Sequence, residues 1–189
     1  MKKVLLVICM FVVVALITSC EKENDEMNQQ ENVNNNNSPV TTPSCYVEYN
    51  GKKHEVKKMI ILPNNAANFM FFRIYFAPST VSCDPNGWLN GKGYGLTVQL
   101  VQPENVTSLP VGVFTNATSF QYENNALYNA MFIENNANWN SPYPDACNIL
   151  TSSLKIEQVG STYTFTFNGT DETGKTIKAY YTGAIEVHE

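Results

Sequence analysis

The chain has 189 residues, 43% of them hydrophobic and only 15% charged, with a formal net charge of −5. Binding DNA or RNA through phosphate neutralisation needs a clustered basic surface. The one basic cluster, Lys52, Lys53, Lys57 and Lys58, is interrupted by Glu55 and preceded by Glu48, so no nucleic-acid partner is expected.

At the N-terminus, Lys2 and Lys3 precede an apolar run from Val4 to Ile17, then the small residues Thr18 and Ser19, then Cys20. A charged start, an apolar stretch and a small-residue cleavage site are the layout of a secretory signal. The run is shorter than the roughly 20 residues that a helix needs to span a bilayer, which makes a retained transmembrane helix the weaker reading. Ile17-Thr18-Ser19-Cys20 resembles the lipobox of bacterial lipoproteins. The resemblance implies cleavage after Ser19, diacylglycerol on the Cys20 thiol, and a further acyl chain such as palmitate on the new amine. Each buried CH₂ contributes about 0.8 kcal/mol, and stable anchoring takes more than one chain, as acylated Cys20 would supply. Residues 1–19 are thus read as a lipoprotein signal peptide, with the lipid bilayer as first partner. A plain secreted protein is the alternative.

Residues 20–43 follow as a tether. They begin with an acidic cluster (Glu21, Glu23, Asp25, Glu26), continue through Gln and Asn tracts, and contain no aromatic residue. Such a stretch buries too little apolar area to offset its ordering entropy and is expected to be a disordered spacer. As a flexible coil it reaches roughly 25–30 Å on average. The acidic cluster resembles the signal that sends some Bacteroidota lipoproteins to the cell-surface side of the outer membrane. An ordinary charged linker, leaving the protein on the periplasmic face, is the alternative.

Residues 44–189 are expected to form one domain, with 12 acidic against 9 basic residues and a length suited to a single core. Its pattern is β throughout. Cys45–Tyr49 and Lys52–Val56 flank Asn50-Gly51, the pair that supplies the positive φ angles of a type I′ hairpin turn. Asn68–Phe76 is apolar on both parities with Arg73 as its lone charge, which suits a strand buried on both faces or lining a cavity. Leu96, Val98 and Leu100 alternate with Thr97 and Gln99. Leu109–Phe114 reads as a turn into a short strand, Ser119–Tyr122 and Leu127–Ile133 as strands, and Asn135–Cys147 as a loop. Three strands then alternate clearly: Leu150, Ser152, Leu154 and Ile156; Tyr163, Phe165 and Phe167; and Ile177, Ala179, Tyr181, Ile185 and Val187. Eight to ten short strands and little helix imply an all-β domain, either a single antiparallel β-sandwich or a lipocalin-like barrel. The run from Gly160 through Tyr163 and Phe165, the Gly174-Lys175 link and Tyr181-Thr182-Gly183 resembles the C-terminal ends of β-rich Bacteroidota lipoproteins, some of them lipocalin-like.

Chemistry-bearing residues are sparse. Cys45, Cys83 and Cys147 lie in the domain, and export permits disulfides. Three pairings are open; Cys83–Cys147 is favoured because both fall in loops rich in Pro and Asp, against the alternative of three free thiols. His54 reads as a solvated strand residue. No nucleophile elbow or zinc-hydrolase motif occurs, so the chain is not expected to be an enzyme and no cofactor or metal is expected. An Asp84/Asp145 carboxylate pair is the one hydrolytic arrangement that spacing leaves open. Asp84-Pro85-Asn86-Gly87 reads as a turn, because it lacks most donors of a calcium loop.

Trp88 and Trp139 both fall in loops, with Tyr143 beside the second. If Cys83 and Cys147 bond, Trp88, Trp139 and Tyr143 share one end of the domain with Asp84, Asn86 and Asp145. Aromatic faces beside amides and carboxylates suit a carbohydrate, which makes a glycan or a surface protein the expected partner. The alternatives are aromatics that cap the core, an apolar-ligand carrier whose cavity is lined by Phe69, Phe71, Arg73 and Tyr75, and a structural lipoprotein with no small ligand. Acylation at Cys20 has a direct test. Cys20→Ala is expected to abolish metabolic labelling with palmitate and to shift the protein from the membrane to the soluble fraction on cell fractionation.

Overall fold

The computed structural model describes residues 44–66, 68–117, 124–134, 138–139 and 146–188. The signal peptide, Cys20, the tether, Tyr143, Asp145 and the strand expected at Ser119–Tyr122 lie outside the described residues.

Among the described residues there are thirteen strands and no helix. The first hairpin joins β1 (Tyr46–Tyr49) to β2 (Lys52–Glu55), and Asn50 and Gly51 take φ angles of 48° and 80° as a type I′ turn demands. Next come β3 (Lys58–Ala66), β4 (Phe69–Ala77), a small hairpin of β5 (Ser82–Cys83) and β6 (Leu89–Asn90), and β7 (Gly95–Pro103). Then follow β8 (Gly112–Asn116), β9 (Ala126–Ile133), the long β10 (Ala146–Val159), β11 (Thr162–Asp171), β12 (Thr176–Gly183) and the short β13 (Glu186–Val187).

Apart from β5 and β6, these form one sheet in the order β13-β3-β4-β7-β9-β8-β10-β11-β12-β1-β2. The expected all-β architecture is present, with one amendment. The pairings β13–β3 and β8–β9 are parallel, so the sheet is mixed. The sheet curls so that its inward faces meet: Phe76 of β4 sets its ring edge-on to Phe165 of β11, with centroids 6.1 Å apart. The enclosed space is packed solid with Phe72, Phe76, Phe132, Phe165, Phe167, Met59, Ile61, Ile74, Leu96 and Leu100, all essentially without solvent exposure.

Strand β4 follows the two-faced pattern of its sequence. Phe72, Ile74 and Phe76 point into this core, while Tyr75 and Ala77 belong to a second cluster on the outer side with Ile60, Val81, Leu89, Ile133 and Trp139. Phe69, Phe71, Arg73 and Tyr75 therefore line no interior cavity; they lie on the outward parity of β4, and Arg73 is exposed. Strand β3 is not announced by the sequence. The run Met59-Ile60-Ile61-Leu62 continues through Pro63-Asn64-Asn65, whose composition is that of a turn, yet all of it pairs with β4. Leu150 also departs from its expected face. A register shift between Ile149 and Thr151 inserts a bulge, so Ile149 faces the core and Leu150 is 60% exposed. Val187 leaves its expected parity as well, since β12 ends at Gly183 and β13 crosses to the edge of β3.

A buried carboxylate closes one end. Asp171, at the end of β11, accepts hydrogen bonds through Oδ1 from Thr173 N (2.8 Å), Thr173 Oγ1 (2.9 Å) and Lys175 N (2.9 Å). Through Oδ2 it accepts one from Tyr49 Oη of β1 at 2.9 Å. Burial alone would raise its pKa. The donors at Lys175, Thr173 and Tyr49 together outweigh that and hold it down at about 2. A carboxylate depressed in the folded state stabilises above its unfolded pKa, and that contribution is lost as pH falls through the folded value. Stability is therefore expected to decline between about pH 4 and about pH 2. Asp171→Ala strands four donors and is expected to cost about 3 kcal/mol at neutral pH, with a flatter acid profile, as measured by denaturant unfolding at several pH values.

Candidate functional site

The two tryptophans anticipated at one ligand-binding end do not both face solvent. Trp88 is 67% exposed at the tip between β5 and β6, whereas Trp139 is only 2% exposed. Trp139 donates through Nε1 to Gly93 O at 3.0 Å, receives Tyr75 at a centroid distance of 6.0 Å, and lies directly on Gly95. A Cβ at Gly95 would come within 2.4 Å of the indole, so glycine there is what admits the ring. Trp139 is the cap of the outer cluster, which is the core-capping alternative realised. Asp84 is likewise consumed locally: its Oδ1 accepts from Asn86 N (2.9 Å) and Trp88 N (3.0 Å), the side-chain geometry of an Asx turn. Asn86 is exposed on that turn. Tyr143 and Asp145 lie outside the described residues, so the Asp84/Asp145 pair has no geometry here.

The favoured disulfide is absent. Cys45, Cys83 and Cys147 are all free thiols. Cys147 lies in β10, not in a loop, and pairs with Phe132 on the face of the main core, whereas Cys83 packs beside the outer cluster. The sheet stands between those two locations. Burial, with Glu134 nearby, pushes the Cys147 thiol up to about 11, the reverse of an activated nucleophile. His54 is not a solvated residue: its ring stacks on Tyr94 at 3.9 Å, and burial, then Lys52, lowers its pKa. Among the described residues no group of three or more His, Cys, Asp or Glu side chains could hold a metal ion.

Two recesses lie instead on outward sheet faces. The larger, about 450 Å³, is an open groove crossing β10, β11 and β12. Strand register explains its shape. Thr151, Thr170 and Thr176 form one row across the three strands, and Ser153, Asn168 and Lys178 form another two residues along. The intervening row, Ser152, Gly169 and Ile177, turns its side chains the other way and leaves backbone as the floor. Rows two residues apart are separated by about 7 Å along a strand. Asn116 of β8 fixes one end, accepting through Oδ1 from both the backbone and the hydroxyl of Ser152. Beyond Lys178 the next row carries Thr166, Tyr180 and Tyr46, the two tyrosine rings being 6.5 Å apart. Both rings are half-buried, and Lys53 Nζ stands 4.1 Å over that of Tyr46.

The smaller recess, about 200 Å³, lies on β4, β7 and β9 and is lined by Arg73, Tyr75, Thr97, Val98, Gln99, Asn129 and Met131. Arg73, Gln99 and Asn129 are in register across the three strands. Reading residue types along the chain did not pick out the larger recess, and it placed Arg73 and Tyr75 of the smaller one in an interior cavity. The polar parity of β10–β12 marked the outward face, but the groove depends on how three strands align. Comparison of the chain with protein-family models, with curated proteins and with solved structures finds no match.

The opposite roles of the two tryptophans give a stability test. Trp139→Ala empties the outer cluster and is expected to cost about 3–5 kcal/mol, whereas Trp88→Ala is expected to stay within about 0.5 kcal/mol, both read from denaturant midpoints.

Proposed function

We propose that this protein is an exported lipoprotein, anchored through acylated Cys20 and displayed at the outer-membrane surface, whose β-domain binds an extracellular glycan in the groove across β10, β11 and β12. The observation that carries the reading is the groove's lining. Four hydroxyl side chains and one amide stand in two parallel rows, with a single cation, Lys178, at one end. Hydroxyls and amides both donate and accept, which suits a ligand that presents hydroxyls on all sides. A backbone floor and small walls leave room for a flat ring laid across the strands, and Tyr180 beside the groove offers an aromatic face for a sugar's C–H bonds.

The groove is shallow, so a single site binds weakly, and the tether bears on that. Many copies on one membrane, each on a spacer whose composition implies a reach of roughly 25–30 Å, engage a repeating polymer together and gain avidity without further contacts. The solid interior weighs against an apolar-ligand carrier. A panel of neutral polysaccharides screened against the full mature chain tests the reading. Asn168→Ala combined with Thr170→Ala is expected to weaken binding about ten-fold or more, the loss of one to two hydrogen bonds, while Trp88→Ala leaves it unchanged. Retention of full affinity in the double variant, or binding lost on Trp88→Ala, sinks the groove as the site.

A further inference from the structure

Arg73 is the only arginine in the chain. It stands in the middle of the most apolar strand of the domain, and among the described residues it makes no ion pair. On the same face of β4 its neighbours on either side, Phe71 and Tyr75, are buried, while Arg73 between them is exposed. The outer covering is therefore interrupted at this one position, and the guanidinium sits at the gap. Around it, strand register sets Gln99 and then Asn129 in its own row, with Thr97 and Met131 in the row of Tyr75.

The recess contains no carboxylate and no second cation among its lining residues. The acid of the neighbouring edge strand, Glu186, is shared by Lys58 and His188 at 3.9 Å each. We propose that this recess is a second binding site, for a carboxylate-bearing small molecule or a carboxylate-bearing end unit of a polymer. A guanidinium presents a planar fork that matches a carboxylate with two parallel hydrogen bonds. One cation balances one negative charge, so a monoanion fits, whereas a dianionic phosphate leaves charge that no lining residue neutralises. The Gln99 and Asn129 amides and the Thr97 hydroxyl lie where a ligand's remaining polar atoms need partners, and Met131 with the Tyr75 ring supplies an apolar wall. At about 200 Å³ the recess is below the usual range for drug-sized ligands, roughly 300–1,000 Å³, and admits one ring or a short chain.

The site shares no residue with the β10–β12 groove, and its fate is separate from that of the glycan reading. Calorimetric titration of the full mature chain with glucuronate, hexanoate, glucose and glucose 6-phosphate tests it. A carboxylate is expected to bind at least about ten-fold more tightly than glucose, and Arg73→Gln is expected to remove that preference. Arg73→Lys, which keeps the charge and loses the fork, is expected to fall between, and Lys57→Gln to change nothing. Glucuronate above hexanoate identifies a sugar acid and the reverse a short organic acid; either supports the site. Tighter binding of the phosphate ester, equal binding of glucose, no carboxylate binding, or unaltered affinity in Arg73→Gln overturns it. Because Arg73 is exposed, an unchanged thermal midpoint is expected for its variants, which separates lost binding from lost folding.

Discussion

Everything in the domain accommodates one constraint, a central strand that is apolar on both faces. Phe72, Ile74 and Phe76 of β4 need a core on one side, and the curled sheet supplies it by bringing β11 and Phe165 across the interior. Tyr75 and Ala77 need cover on the other side, where the second sheet is only the two short strands β5 and β6. Burying a large apolar side chain is worth about 1.5–3 kcal/mol, so leaving that outer face bare is costly. The chain between β4 and β7 folds back as the small β5–β6 hairpin, and Trp139 closes what remains. The loops serve β4 first.

That priority accounts for the fate of the aromatic loop residues. An indole is a large apolar body with one donor, and Gly93 O satisfies the donor while Gly95 makes room for the body. Asp84 is spent on its own turn for a similar reason: a short exposed loop needs acceptors for its backbone donors. What is left over for ligands is the sheet's outward surface wherever covering stops. There the regular spacing of strands arranges small polar side chains into rows, and Arg73 marks the gap in the outer cover.

Much of the strand architecture was legible along the chain. Two-residue periodicity in Leu154 and Ile156, Phe165 and Phe167, and Ile177 and Ala179 reflects the pleat, and Asn50-Gly51 reflects a turn that few other pairs can make. Strand β3 was hidden because Pro63, Asn64 and Asn65 carry a turn-like composition into a paired strand. Leu150 was misplaced because a bulge adds one residue and flips parity, which no alternation pattern reveals. The residues of the proposed groove site were harder. Thr151, Thr170 and Thr176 are ordinary outward positions until register sets them side by side, and the cysteine pairing suggested by loop composition fails once Cys147 is found inside β10.

The amino-acid order by itself determined that the domain is β, where most strands run, which face of most of them meets the core, and that Arg73 interrupts an apolar strand. Those properties are local, set by the pleat and by backbone steric limits within a few residues. The tertiary structure alone decided which strands became neighbours, that Trp139 turned inward while Trp88 stayed in solvent, and that Arg73 faces outward beside Gln99 and Asn129. Such outcomes depend on contacts between residues far apart in the chain, where curling the sheet and covering β4 choose among many arrangements that the same local pattern allows.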